Sequence, residues 1–64
     1  MSGMIGKNIC VVCEEEWIIR GKLSAVNEKS ILLTEATTIQ KFEKPVSMLE
    51  VMKDKIIFVF LDEE

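Results

Sequence analysis

Cys10 and Cys13 stand in the stretch CVVC with the Cys-x-x-Cys spacing of zinc sites and redox centres. Zinc needs thiolates that converge on one point, and a redox pair needs a helix N-terminus or a cationic neighbour to lower a thiol pKa. Neither condition is met. The surrounding NICVVCE (8–14) is rich in β-branched residues and reads as a strand, on which positions three apart point to opposite faces. An acidic EEE follows, and the chain has no histidine and no second cysteine pair. Two reduced, structural thiols are expected, with no metal and no cofactor. The carboxylates concentrate in EEE (14–16) and DEE (62–64), which read as a solvated turn and a charged tail. No base, nucleophile or metal ligand accompanies them, so no catalytic residue and no enzyme are expected. Trp17 offers a face on which a nucleobase could stack, although an aromatic in this position more often caps a core or meets a neighbouring subunit.

The elements that must position these residues belong to one small domain, 1–64 with its core at 7–61. A domain of this size buries only roughly 60% of the surface its unfolded chain exposes, so its stability needs a supplement. Disulfides and metal are not available. With 48% hydrophobic residues the chain holds more apolar surface than so small a core can hide, and self-association is the expected supplement. The net charge of −3 argues against a broad basic surface for duplex phosphates, so no DNA partner is expected. Single-stranded RNA read locally in a small pocket stays open. The opening MSGMIGKNIC lacks the apolar core of a signal peptide, and no stretch approaches the ~20 apolar residues of a membrane helix. A reduced, cytoplasmic setting without a membrane partner is expected.

Strand signals run the length of the chain. Ile9, Val11 and Cys13 share one face of the first run. WIIRGKLSAV (17–26) puts Trp17, Ile19, Gly21, Leu23 and Ala25 on one face, with Gly21 marking a sharp bend or a close backbone approach. NEK (27–29) reads as a turn, and SILLTEATTIQKF (30–42) is again extended. EKP (43–45) is expected to break that run, because proline cannot donate to a ladder. VSMLEVM (46–52) fits a helix by composition and a half-buried strand by alternation, and seven residues between breakers favour the strand. KDK (53–55) reads as a turn before IIFVFL (56–61), whose two faces, Ile56/Phe58/Phe60 and Ile57/Val59/Leu61, are both apolar. Such a strand needs cover on both sides. The pattern predicts an all-β, small, strongly bent barrel of five short strands, with Met48 and Met52 packed in the fourth strand or at an interface.

ICVVCEEEWIIRGKLSAVNEKSILLTEA resembles the first motif of the Sm/LSm family, which includes the bacterial RNA chaperone Hfq. In that motif an apolar strand and an acidic or glycine turn lead into apolar–x–Gly–x–Leu, then a loop with Asp and Asn and a Leu-rich strand. Gly21, Leu23, Val26 and Leu32 fall on its glycine, leucine and apolar positions, and VMKDKIIFV (51–59) resembles the second motif. A competing register sets FEKPVSM (42–48) on Hfq's second motif and leaves the last strand as an appendage. The resemblance implies an Sm-like barrel whose N-terminal helix is short or absent. It also implies a homo-oligomeric ring of six or seven subunits, closed by pairing the fourth strand of one with the fifth of the next. Met48, Val51, Ile57, Phe58, Val59 and Phe60 are then the candidate interface residues, and an uncovered apolar edge would otherwise be an aggregation hazard.

The family's uridine pocket uses the loop Asp and Asn with the later Arg–Gly. Here those positions hold Asn27, Ile31, Met52 and Lys53, and the stacking position holds Ser30. Isoleucine cannot hydrogen-bond a base edge, and methionine carries neither a guanidinium plane nor a charge. Asn27, Lys29, Ser30, Ile31, Met52 and Lys53 are the candidate RNA contacts, with Lys29 and Lys53 suited to phosphates. Two functions are carried forward. One is an Sm-like ring that handles single-stranded RNA with altered base preference, and the other is an Sm-like scaffold or protein-interaction module that has lost RNA binding.

Overall fold

Each apolar run of the sequence becomes a strand: β1 (Asn8–Cys13), β2 (Ile18–Val26), β3 (Ser30–Thr38), β4 (Phe42–Met52) and β5 (Ile56–Leu61). The computed structural model describes residues 2–38 and 42–62, so 39–41 of the predicted 30–42 run and Glu63 and Glu64 of the acidic tail lie outside the described residues. A single 3₁₀ turn, Ser2–Met4, stands where the family resemblance implied a short or absent helix. Further 3₁₀ turns at Glu14–Glu16 and Lys53–Lys55 occupy two of the three predicted polar turns.

All pairings are antiparallel, in the order β4-β3-β2-β1-β5. β4 and β5 are therefore the two ends of the sheet, each with one edge unpaired among the described residues. The last strand is no appendage: β5 pairs with β1 from Ile9↔Leu61 to Cys13↔Ile56. This small all-β fold closes around Ile9, Val11, Ile19, Leu23, Ile31 and Leu33, with Cys13, Ala36 and Val51 completing the core. The face predicted for the first run turns inward, as do Trp17, Ile19 and Leu23 of the second; the slip between Leu23 and Ala25 then sets Val26, and not the expected Ala25, against the core.

Register slips bend the sheet. Gly21 stands opposite both Glu35 and Ala36, because Arg20 pairs with Thr37 while Lys22 pairs with Thr34. A Cβ at Gly21 would lie 3.1 Å from the Ala36 Cα and from the Thr34 carbonyl oxygen. The glycine is there because β2 and β3 touch backbone to backbone at the bend. Glu35, the bulged residue, takes a left-handed φ of 50°.

The expectations for Pro45, for the faces of β5 and for Asp62 need correction. Pro45 does not break the chain but lies inside β4. It sits where the ladder slips between Val46 and Phe42 on an end strand, so its missing N–H removes no ladder bond. The faces of β5 are not Ile56/Phe58/Phe60 and Ile57/Val59/Leu61. Val12 pairs with Phe58 and Cys13 with Ile56, so Ile57 is an extra, bulged residue that resets the alternation. Ile56, Val59 and Leu61 consequently pack on the core, while Phe58 and Phe60 stack on the outside with centroids 5.8 Å apart. EEE is a turn as predicted, but Glu15 and Glu16 both hold φ of 64°, a conformation glycine takes more readily. Asp62, finally, is no free tail charge: Arg20 donates to it through both Nε and a terminal nitrogen, each at 2.8 Å.

Candidate nucleic-acid interface

The β2–β3 loop and the end of β4 meet at one end of the barrel. The turn at 27–29 is closed by the Asn27 N–H donating to the Ser30 carbonyl at 2.8 Å. The Lys53 N–H then donates to the Lys29 carbonyl, also at 2.8 Å, and ties the two segments together. Directly beside this link Ser30 pairs with Met52 and Ile31 with Val51. Asn27, Lys29, Ser30, Met52 and Lys53 are thus brought into one neighbourhood by backbone hydrogen bonds, although 26 positions separate its ends in sequence.

Alternation decides which of them face outward. Asn27, Lys29 and Met52 are exposed and Lys53 is half-buried. Ser30 is buried, and its hydroxyl donates to Glu50 Oε2 at 2.7 Å. Ile31 does not belong with this group. Its side chain is fully buried among Leu23, Leu33 and Val51, so it offers a ligand no surface. Glu50 was missed in the sequence because its approach to Ser30 depends on the β3–β4 register. The only prior signal was a carboxylate two positions before Met52 in an alternating run.

The open strand edges carry the apolar surface. Met48 is 65% exposed, Ile57 60% and Phe58 53%, and Phe60 is also exposed. Val51 and Val59, the other two candidate interface residues, turn their side chains toward the core. Beside β4 a cavity of about 320 Å³ is lined by Trp17, Ile19, Leu49 and Val51, with Glu50 and Met52 among its other walls. Trp17 is half-buried and packs against the core from this cavity.

The cysteines point to opposite sides of β1, as a strand requires, and both are free and buried. Burial pushes both thiols above their ordinary pKa. For Cys10 the nearby Asp62 charge adds to that shift and Arg20 opposes it. Neither is activated toward nucleophilic or redox chemistry. The Arg20 hydrogen bonds hold Asp62 below the usual carboxylate range. Among the described residues no group of three or more His, Cys, Asp or Glu converges on a point where a metal would sit.

No protein-family model matches the chain, and no curated protein matches it. Solved structures do. The chain is similar to an SmAP (LSm) protein from Methanococcus vannielii, with 26% identity over 94% of this chain and 86% of that one and a TM-score of 0.85. The SmAP1 heptamer of P. aerophilum is 22% identical over 98% of this chain and 88% of its own, with a TM-score of 0.85. A Pyrococcus abyssii Sm protein in complex with a uridine heptamer is 19% identical over 95% and 90% of the two chains, with a TM-score of 0.83. A chain of the NatC complex bound to CoA is 22% identical over 97% and 83%, with a TM-score of 0.80.

Proposed function

The chain has the Sm/LSm-like fold, and from that premise we propose that it forms a homo-oligomeric ring that handles single-stranded RNA with altered base preference. The observation that carries this reading is the gathering of Asn27, Lys29, Met52 and Lys53 at the mouth between the β2–β3 loop and the end of β4. Two ammonium groups there suit phosphates, an amide suits a base edge, and a thioether suits a base face. Ile31 supplies nothing to a base, and Met52 replaces the arginine that the family resemblance implies, so uridine loses its usual partners. Ring closure pairs β4 of one subunit with β5 of the next, six or seven times. It is supported by the two unpaired edges and by apolar side chains that stay exposed until a partner covers them. A heptamer and a uridine-heptamer complex among the similar structures support the two halves of the proposal.

This reading calls for no cofactor, metal, membrane or duplex DNA, assigns no enzymatic activity and takes the cytoplasm as the setting. A second reading is a scaffold that engages protein instead of RNA. It is favoured by the net charge of −3 and by the similarity to a chain of the NatC complex. Fluorescence anisotropy with labelled single-stranded RNA across a salt series separates the two. Binding that weakens steadily as salt rises is expected. An assembled protein that binds no RNA of any sequence at low salt would sink the first reading and leave the second.

A further inference from the structure

The geometry points to Glu50 as the residue that sets base preference at this site, in favour of bases with an exocyclic amine and against uracil. The inference rests on the RNA-binding reading above. Ser30 and Met52 are partners at the end of the β3–β4 ladder, and Glu50, two positions before Met52, faces the same side. The Ser30 hydroxyl is held in place by burial and anchors one carboxylate oxygen at 2.7 Å. Among the described residues the other oxygen, Oε1, has no partner, and Glu50 is exposed. Lys55, on the adjoining turn, meets Glu14 at 3.9 Å. A carboxylate in this position is a fixed acceptor with an open lone-pair side, next to the apolar Met52 surface on which a base would rest.

An ionised carboxylate only accepts hydrogen bonds. Cytosine and adenine present an amine donor, N4–H₂ or N6–H₂, where it can meet such an acceptor. Uracil presents the O4 carbonyl at the position of the cytosine amine, and acceptor then faces acceptor. Its one ring donor, N3–H, lies between two carbonyl oxygens that the same carboxylate would have to approach. Cytosine and uracil have nearly the same size and shape, so the pair isolates this contact from stacking and from sterics. Lys29 and Lys53 serve the phosphates of every sequence equally and leave the choice of base to Glu50.

The test measures binding of labelled 10-mers of cytidine, adenosine and uridine to the assembled protein, to Glu50→Gln and to Lys29→Ala. The unaltered protein is expected to bind oligocytidine and oligoadenosine about tenfold tighter than oligouridine, the size of one charge-assisted hydrogen bond. Glu50→Gln keeps shape and volume but supplies an amide that both donates and accepts, so the cytidine-to-uridine ratio should fall close to one. Lys29→Ala should weaken all three oligomers alike and leave that ratio unchanged. Equal or tighter binding of oligouridine by the unaltered protein would overturn the inference. So would a ratio that survives in a Glu50→Gln protein of unchanged oligomeric mass. Failure of all three oligomers to bind would overturn the RNA reading itself, and this inference with it.

Discussion

The β5 edge and the loop end of the barrel differ in how their chemistry is encoded. The edge is built from side chains that are interchangeable in kind: Ile57, Phe58 and Phe60 are all large, apolar and exposed. Any of them serves to make burial against a partner favourable, because the hydrophobic effect is non-directional and scales with area. The loop end works through single atoms. One backbone hydrogen bond joins Lys53 to Lys29, one hydroxyl fixes Glu50, and one residue of alternation sends Ile31 into the core and leaves Met52 outside. A region of the first kind tolerates much substitution and keeps its role. In a region of the second kind a single exchange can change what is bound while the fold stays as it is.

Breaking the edge should have the largest effect. Phe58→Glu puts a carboxylate on the exposed outer face of an unpaired strand edge, and gel filtration should show small species or aggregate in place of one assembled peak. Val59→Glu sharpens the same contrast, since Val59 packs on the core and its exchange should unfold the subunit itself. Next in size is Gly21→Ala, where the added methyl meets backbone at 3.1 Å. Denaturant unfolding should show a loss of about 1–3 kcal/mol, the usual cost of overpacking. At the loop end, Lys29→Ala combined with Lys53→Ala should leave stability nearly unchanged. It should reduce the slope of log K against log salt by about 1.4, or about 0.7 for each phosphate contact on a single strand. A slope that does not move would place the phosphates elsewhere. The smallest effect expected is a gain: Glu15→Gly relieves a left-handed φ of 64° and should stabilise the fold by up to about 1 kcal/mol.

The same contrast explains what could be read from the sequence. Strands with β-branched alternation and a glycine at the bend announce themselves locally, so β1, β2 and the close approach at Gly21 were legible. IIFVFL was legible as a strand, but its facing was not. Ile56 and Ile57 are chemically identical, and nothing in the run marks the second as the bulged one. Pro45 misled because a breaker and an end-strand proline look alike until the order of strands is known. The Glu15 and Glu16 conformation carried no signal, since glutamate is a poor choice for positive φ. The site was half legible. The Sm-like frame pointed to Asn27, Lys29, Ser30, Met52 and Lys53, which do converge. Ile31 was placed with them by position in a motif, while its apolar side chain follows the core. Glu50 lay outside the motif, and only the cross-strand register brings it to Ser30.

Light scattering on the purified protein tests most directly whether the two open edges close on copies of the same chain. A single species at six or seven times the chain mass of 7.3 kDa is expected, held at low micromolar concentration and lost in Phe58→Glu. A stable monomer of 7.3 kDa, with Ile57, Phe58 and Phe60 left in water, would contradict it.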